Sequence, residues 1–337
     1  MIERLPRLWY SRSPMARLLL APLLPLSLGF CALARYRRFA YRRGLKPSAH
    51  PGVPVVVVGN LSVGGAGKTP VTAWLYDFLR RRGRRPGIIS RGYGGRAAAW
   101  PQRVYPDSDP VQVGDEPVLL ARRTGGPIAV GPDRLAAARA LVEPGLCDLL
   151  ISDDGLQHYA LQRDLELAII DGARRHGNGW CLPAGPLREP VSRLESVDLT
   201  LNNGGARPGE YGVRLRGDRA VNLLNPEQTR PLEAFADLRI HAVAAIGHPE
   251  RFFVHLRRHG VRAISHPFPD HHPFTPQDLD FPDAEAVLMT EKDAVKCAAF
   301  AEDRYWQAPV DLEVDAALEA RLDVWLDCLQ GASKNSH

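Results

Sequence analysis

The chain of 337 residues is poor in cysteine and has no closely spaced cysteine pair. An odd, scattered set of thiols without a Cys-x-x-Cys motif excludes a disulfide framework and a thiolate zinc site of the usual spacing. It is typical of structural thiols in a reducing compartment. The five cysteines are Cys31, Cys147, Cys181, Cys297 and Cys328.

Most of the chain also lacks an excess of basic residues. The first 50 residues hold ten Lys and Arg against Glu3 alone, a net charge of +9. The other 287 residues hold 33 basic and 37 acidic side chains, a net charge of −4. A nucleic-acid-binding domain carries its basic face on the folded part of the chain. We therefore predict no nucleic-acid partner.

The length suggests about two domains, and we find no internal repeat and no low-complexity tract. Short apolar runs alternate with helical patterns in the first two thirds of the chain, which predicts an α/β fold with a parallel sheet flanked by helices. These runs lie at 54–58, 87–89, 128–130, 149–151, 167–170 and 197–201.

The composition changes near Gly204, and a second, smaller α/β pattern follows. The stretches 211–216 and 219–224 flank Gly217-Asp218, which predicts a β-hairpin. The predicted units are a basic, apolar segment at 1–50, a phosphate-loop core at 51–205, a linker with the hairpin at 206–235, a smaller α/β domain at 236–330 and a tail at 331–337.

A glycine-rich stretch at 59–70, GNLSVGGAGKTP, stands between an apolar run and a helical pattern. This is the layout of a loop that binds the phosphates of a nucleoside triphosphate, P-loop NTPase-like, with ATP and Mg²⁺ as the expected cofactors. Lys68 would reach the β- and γ-phosphates, and Thr69 would bind Mg²⁺. The alternative is an ordinary strand-to-helix turn. The predicted cradle consists of Ser62, Val63, Gly64, Gly65, Ala66, Gly67, Lys68 and Thr69.

Two carboxylates, Asp153 and Asp154, follow the apolar run 149–151. Side chains at the carboxyl end of a strand face the ligand crevice of an open α/β sheet. Mg²⁺ bound to a nucleotide takes one or two carboxylates, so we predict that this pair is associated with the metal. The alternative is turn chemistry, for which Asp-Asp-Gly is well suited.

Three further loops carry candidate catalytic side chains. Asp115 in VGDEP is a candidate acceptor for the proton of an attacking hydroxyl, or otherwise a helix N-cap. His271 in PDHHPF would hold and tune a carboxylate across a cleft, or otherwise belongs to a satisfied loop or a metal site. Arg188 in PAGPLREP suits phosphate charge, or otherwise lies on a surface loop.

An uncharged apolar run of 17 residues occupies 18–34 and is followed by Arg35-Tyr36-Arg37-Arg38. As a helix it would span roughly 25 Å, slightly less than a bilayer core of about 30 Å. No small-residue cleavage site follows, unlike in a signal peptide. We predict a membrane-associated helix, peripheral or spanning, with arginines at anionic lipid headgroups. The alternative is a helix packed on the protein.

These motifs together resemble those of the tetraacyldisaccharide 4′-kinase family. The resemblance covers nearly the whole chain. It includes the phosphate loop, in which Ser62 stands where the usual pattern has Gly. The motifs that carry it are, in order, VVVGNLSVGGAGKTP, SRGYGG, VGDEP, DDGLQH, PAGPLRE, IGHPERFF, DHHPF and LMTEKDAVK.

The resemblance implies a kinase that uses ATP and Mg²⁺ at the cytoplasmic face of the bacterial inner membrane. It would phosphorylate the 4′-hydroxyl of a tetraacylated glucosamine disaccharide 1-phosphate, a glycolipid, and form lipid IVA in lipid A biosynthesis. The resemblance implies that Asp115 is the base and that His271 assists it. Lys68 and Thr69 match the family's phosphate-loop residues, Asp153 and Asp154 match its metal-associated pair, and Arg188 matches the arginine of its PxGxLRE loop. Arg134 matches another arginine of the family.

Two rival interpretations use the same phosphate loop. A membrane-associated NTPase switch would hydrolyse nucleotide to change partners and needs no dedicated base for an alcohol. A soluble nucleotide-binding module would pack its apolar N-terminus into the core. Loss of transfer after replacement of Asp115, and loss of membrane sedimentation after removal of residues 1–45, would separate the kinase from these two.

Overall fold

The computed structural model describes residues 5–334, which form two sheets, flanking helices and an N-terminal helical arm. The α-helices are α1 (Leu5–Trp9), α2 (Pro14–Leu20), α3 (Leu24–Arg42), α4 (Lys68–Arg81), α5 (Pro110–Val113), α6 (Asp115–Thr124), α7 (Arg134–Val142), α8 (Pro249–Arg258), α9 (Glu291–Cys297) and α10 (Ala316–Lys334).

Nine strands form the larger sheet and six form the smaller one. The strands of the larger sheet are β1 (Val55–Gly59), β2 (Pro86–Ser90), β3 (Gln102–Val104), β4 (Ile128–Val130), β5 (Leu149–Asp153), β6 (Leu165–Asp171), β7 (Leu199–Asn203), β8 (Tyr211–Arg216) and β15 (Asp311–Val314). Those of the smaller sheet are β9 (Arg219–Asn222), β10 (Thr229–Pro231), β11 (Ile240–Ala244), β12 (Ala263–Pro267), β13 (Ala286–Thr290) and β14 (Tyr305–Ala308).

The larger sheet has the order β15-β8-β7-β6-β1-β5-β2-β4-β3 and is parallel except at its two edge strands. The central strand β1 is a run of buried valines, as a strand covered on both faces requires. Val56 and Val58 pack with α4, α6 and α10 on one face. Val55 and Val57 pack with α7 on the other face. The predicted α/β class with a parallel sheet between helices is confirmed.

The apolar positions of α4 explain how the phosphate loop is held. Val71, Leu75, Phe78 and Leu79 lie on one side of this helix and are fully buried, as their helical spacing predicts. They pack on the sheet beneath the loop that precedes the helix. Gly83 ends the helical stretch with a left-handed φ of 76°. Burial of this face therefore fixes the position of Lys68 and Thr69 in the first turn.

The smaller sheet has the order β10-β9-β14-β13-β11-β12. Its strands β14, β13, β11 and β12 are parallel, so their carboxyl ends lie at one edge. Helix α8 covers one face through Phe252, Phe253 and Leu256. The other face packs against Phe274 and Leu279. The loop after β12 and the start of α9 both leave the carboxyl-end edge.

The predicted hairpin at Gly217-Asp218 is wrong. Strand β8 pairs with β7 and β15 in the larger sheet, whereas β9 pairs with β10 and β14 in the smaller one. The pairing register shifts by one residue between Gln307–Val221 and Asp311–Arg216, so the β8–β9 chain carries one extra residue, as in a β-bulge. A Gly-Asp pair serves a bulge as well as it serves a turn.

The chain therefore passes between the sheets twice, at Gly217 and again at Pro309-Val310, and the two passages lie side by side. The second passage returns the chain to the larger sheet through β15 and α10. Leu318, Leu322 and Leu326 of α10 pack into the larger core. This differs from the predicted boundaries, which assigned all of 236–330 to the smaller unit.

The N-terminal arm bends at a 3₁₀ segment, Ala21–Leu23, between α2 and α3. Ser27 donates a 2.5 Å hydrogen bond to the Cys181 carbonyl oxygen, and Trp9 donates one of 3.1 Å to that of Pro183. The segment Pro14–Arg42 is long and apolar enough to cross a membrane, and 17% of its most apolar window is buried.

Replacement of Gly217 by Ala is expected to lower the free energy of unfolding by about 1–3 kcal/mol, the usual cost of overpacking. A Cβ at this position would collide with the Pro309 carbonyl oxygen and would lie 3.1 Å from Val310 Cγ1. Urea unfolding followed by circular dichroism measures the change. The matched control is Gly331→Ala in α10, where no atom lies within 4 Å. Equal unfolding midpoints for the Gly217 variant and the parent would contradict this account of the junction.

Candidate active site

The phosphate loop occupies residues 60–67, between β1 and α4. Gly64 and Gly67 have φ values of 95° and 90°, which side chains with a Cβ rarely adopt. Gly67 is the N-cap of α4, so the loop ends at the positive pole of a 14-residue helix. Asn60 Nδ2 donates to the Gly64 carbonyl oxygen at 3.4 Å and closes the loop on itself.

The Lys68 ammonium lies within reach of one neutral and one charged oxygen. It donates to Asn60 Oδ1 at 3.3 Å and lies 3.7 Å from Asp154 Oδ1. Asn60 is fully buried at the end of β1. The amide therefore orients the lysine along the loop while leaving its positive charge for an anion.

Asp153 is the last residue of β5 and is aligned with Val58 of β1, which places it next to the phosphate loop. Its side chain is 1% exposed, and Thr72 of α4 donates to its Oδ1 at 2.9 Å. Burial, followed by the negative charges of Glu116 and Asp154, raises the pKa of Asp153 to about 7. This carboxyl is thus poised between its charged and neutral forms near neutral pH.

Asp154 has a different environment, although it is the next residue. Its φ of 49° turns the chain out of the strand, and Arg188 Nη1 donates to both of its carboxylate oxygens at 3.0 Å. Burial favours the neutral form, but the charges of Lys68 and Arg188 outweigh it, and the pKa of Asp154 is lowered. Asp154 is therefore the permanently charged member of the pair.

Arg134 contacts the backbone next to the carboxylate pair. It is 2% exposed, and its Nη2 donates to the Asp153 carbonyl oxygen at 3.2 Å while Nη1 donates to that of Gly131 at the same distance. Burial lowers the pKa of Arg134 to about 10. Both contacts of Arg134 are with backbone carbonyl oxygens, so this arginine holds the chain after β4 against the end of β5.

Asp115 and His271 meet across the two sheets. Asp115 is the first residue of α6 and is 6% exposed, and its Oδ2 lies 3.0 Å from His271 Nδ1. Its N-cap is Gly114, so Asp115 is not itself the helix cap. His271, in the loop after β12, has a φ of 61°, an uncommon backbone conformation for a residue other than Gly.

Charge partners determine the protonation of this pair. Burial acts to raise the pKa of Asp115, but the hydrogen bond to His271 and the charge of Lys292 outweigh it, so the pKa is lowered. The hydrogen bond to Asp115 raises the pKa of His271 against burial and against the charge of Lys292. The carboxylate is thus ionised near neutral pH, as a proton acceptor must be.

The loop after β11 links this pair to the phosphate loop. A Cβ on Gly247 would lie 3.5 Å from the Gly65 nitrogen and 3.4 Å from Asp270 Oδ2. Asp270 precedes His271, so one short series of contacts joins the phosphate loop, the smaller sheet and Asp115. The candidate site is therefore built where the carboxyl ends of both sheets meet.

Two residues of the site were not singled out from the sequence. Thr72 lies one turn after the phosphate loop, where its hydroxyl looks like an ordinary helix-surface group. Lys292 lies at the start of α9 and contacts Glu116, Asp270 and His271. Its place directly after strand β13 is the signal that was available, because polar residues at strand ends face the crevice.

The donors beside the phosphate loop suit a hard cation. Thr69 supplies a hydroxyl, and Asp153 and Asp154 supply carboxylates, which are oxygen ligands of the kind that Mg²⁺ takes. Within residues 5–334, no three His, Cys, Asp or Glu side chains are grouped closely enough to hold a metal by themselves.

Comparisons with known proteins agree on one family. A family model described as Tetraacyldisaccharide-1-P 4′-kinase matches residues 19–327. The chain is 52% identical to a tetraacyldisaccharide 4′-kinase of Nitrosococcus oceani, over 97% of this chain and 95% of the relative. It is 51% identical to one from Alkalilimnicola ehrlichii, with coverage of 96% and 97%.

A solved structure has the same fold. It is the "apo" form of LpxK from Aquifex aeolicus in complex with ATP, with a TM-score of 0.76 and 25% sequence identity. The match covers 91% of this chain and 98% of that one.

Replacement of Thr72 by Val is expected to lower the free energy of unfolding by about 1–3 kcal/mol at pH 8, the usual cost of leaving a buried polar group without its partner. The cost should shrink as the pH falls below about 7, where Asp153 becomes neutral. Urea unfolding at both pH values measures this. Thr72→Ser, which keeps the hydroxyl, is the control. An equal cost for both variants would contradict the role of the hydrogen bond.

Proposed function

The chain belongs to the tetraacyldisaccharide-1-P 4′-kinase family, and from this premise we propose how its residues carry out phosphoryl transfer. The reaction moves the γ-phosphate of ATP to the 4′-hydroxyl of a tetraacylated glucosamine disaccharide 1-phosphate and forms lipid IVA. The observation that carries the assignment of roles is the hydrogen-bonded Asp115–His271 pair, which the contacts of Asp270 and Gly247 join to the phosphate loop.

ATP is the phosphate donor, and residues 62–69 would hold its phosphates. The N-terminus of α4 and the backbone of the glycine loop favour anionic oxygens. Lys68 would contact the β- and γ-phosphates, since its ammonium already lies at the loop between Asn60 and Asp154. Arg188, from the PAGPLREP loop, brings a second positive charge to the same carboxylate. These two cations would stabilise the charge that develops on the transferred group.

Mg²⁺ would be held by Thr69 with Asp153 or Asp154, and when bound it supplies charge neutralisation between the phosphates. The two carboxylates are not equivalent. Arg188 and Lys68 keep Asp154 ionised, whereas Asp153 is held by Thr72 beneath the loop. The negative charge of Asp154 therefore also serves to position the two cations.

Asp115 would accept the proton of the 4′-hydroxyl during transfer. Its carboxylate is ionised, is nearly buried and is held by His271 from the smaller sheet. A carboxylate fixed in this way contributes about 10²–10⁴ in rate as a general base. The rival interpretation, a nucleotide switch, needs no dedicated acceptor for an alcohol proton. It therefore gives no role to the Asp115–His271 pair.

We also propose that the N-terminal arm lies on the cytoplasmic face of the inner membrane. Leu26, Phe30 and Leu33 lie on one side of α3, and the leucines are more than 60% exposed to solvent. Contiguous exposed apolar surface of this kind marks an interaction site. Arginines follow in the last turns of α3, where anionic headgroups would meet them. The glycolipid acceptor lies at the same boundary, so the arm brings the site to its substrate.

Asp115→Asn is expected to lower phosphate transfer to the glycolipid by about 10²–10⁴-fold, because the proton acceptor is lost. The assay supplies ATP labelled in the γ-phosphate with a tetraacylated glucosamine disaccharide 1-phosphate and separates the lipid products. ATP affinity should change little. Asp148→Asn, which lies just before the opposite end of β5, is the control and should retain transfer. Transfer at the parent rate by the Asp115 variant would rule out this base.

The double substitution Leu26→Glu and Leu33→Glu is expected to abolish flotation of the protein with vesicles that contain anionic lipids. Each change places a charge on apolar surface that would otherwise enter the lipid boundary. The control is Val324→Glu, on an exposed position of α10, which should float like the parent. Unchanged flotation of the double variant would show that this face does not contact lipid.

A further inference from the structure

The side chain of Lys292 contacts residues of both structural units. Lys292 lies in the first turn of α9, the helix that follows strand β13 of the smaller sheet. Its side chain is mostly buried and has three acceptors within hydrogen-bond reach. Its Nζ lies 3.0 Å from Glu116 Oε1, 3.4 Å from Asp270 Oδ1 and 3.3 Å from His271 Nε2. An ammonium group has three protons to donate and no lone pair. The three contacts therefore use all of its donors.

The contact with His271 has a consequence for the imidazole. A lysine ammonium can only donate, so the ring nitrogen that faces it must carry the lone pair. Nε2 is then unprotonated, and the proton of the neutral ring lies on Nδ1, 3.0 Å from Asp115 Oδ2. The contacts of the second nitrogen determine the tautomer of a histidine. Lys292 thus orients the hydrogen bond that reaches Asp115.

We propose that Lys292 is a positioning residue that holds His271 as the neutral Nδ1–H tautomer and so leaves Asp115 as the proton acceptor of the reaction. This inference rests on the proposed function. If Nε2 were free, His271 would itself compete for the proton of the substrate hydroxyl. With Nε2 facing an ammonium group, His271 donates to Asp115 and accepts from Lys292.

The groups around His271 act in opposite directions. Asp115 on α6 and Asp270 in the same loop favour the imidazolium form, whereas burial and then Lys292 on α9 oppose it, and the net effect is a raised pKa of His271. Tyr93, from the loop after β2, contributes a ring whose centroid is 5.3 Å from that of the imidazole. Lys292 is thus the positive charge that limits how far the two carboxylates raise the pKa of His271.

A second ion pair joins the same two helices and serves as a matched comparison. Arg123 of α6 donates to both carboxylate oxygens of Glu291, the residue that precedes Lys292. This pair crosses the same interface but makes no contact with His271 among the described residues. Loss of Arg123 therefore weakens the interface, whereas loss of Lys292 weakens it and also frees Nε2.

The test compares Lys292→Met, Lys292→Arg and Arg123→Gln in the full-length enzyme. In Lys292→Met the pKa values of both Asp115 and His271 rise, because a nearby positive charge is lost. The acidic limb of kcat/KM should then move up by about one pH unit. Transfer should fall by up to about tenfold at pH values on this limb and should approach the parent rate on the plateau above it. Lys292→Arg keeps the positive charge, so the acidic limb of its kcat/KM profile should lie at the same pH as in the parent. The same is expected of Arg123→Gln.

A second measurement reads the tautomer directly and does not depend on turnover. In protein labelled with ¹⁵N-histidine and assigned by comparison with His271→Gln, the parent should show a protonated Nδ1 and an unprotonated Nε2 at pH 8.5. A protonated Nε2 in the parent would overturn the proposal, and so would an unchanged limb in Lys292→Met. A parent that fails to phosphorylate the lipid would instead remove the proposed function, while the tautomer would still be measured.

Discussion

The hydrogen bond between Asp115 and His271 joins two parts of the chain that are 156 positions apart and belong to different sheets. Neither residue has this environment without the other sheet. Asp115 begins a helix of the larger unit, and His271 reaches it only because the loop after β12 adopts a left-handed backbone at that position. The lowered pKa of Asp115, and thus its ionised state despite burial, depends on groups from the smaller unit. The site is therefore complete only when the two sheets are in contact.

The connection between the sheets places their strand ends so that the site can form between them. Two side-by-side strands cross from one sheet to the other, with one extra residue at Gly217-Asp218. The carboxyl ends of the parallel strands in both sheets then face the same crevice. Polar contacts across it include Arg251 with Asp171, Arg123 with Glu291 and Lys292 with Glu116, and Val295 of α9 adds an apolar contact with the larger core. Two units joined by a narrow ribbon and by such ion pairs are of the kind that permits relative motion of domains.

Local signals in the sequence accounted for the elements but not for their assembly. The valine run, the glycine loop and the helical pattern after it indicated β1, the phosphate loop and α4, because each depends on residues close together in the chain. The hairpin failed because Gly-Asp favours a turn and a bulge equally, and only the pairing partners distinguish them. Thr72 and Lys292 were missed because their importance comes from Asp153 and His271, which are distant in sequence. The roles given to the site residues remain predictions.

The amino-acid sequence by itself determined the class of fold, the phosphate loop and the family, since these depend on local pattern and on a series of motifs along the whole chain. Only the tertiary structure decided the unequal environments of Asp153 and Asp154, the pairing of Asp115 with His271 and the place of Lys292. Those properties arise from burial and from charges within a few ångströms. Such distances are set by packing between segments far apart in the chain, which no local pattern of residues specifies.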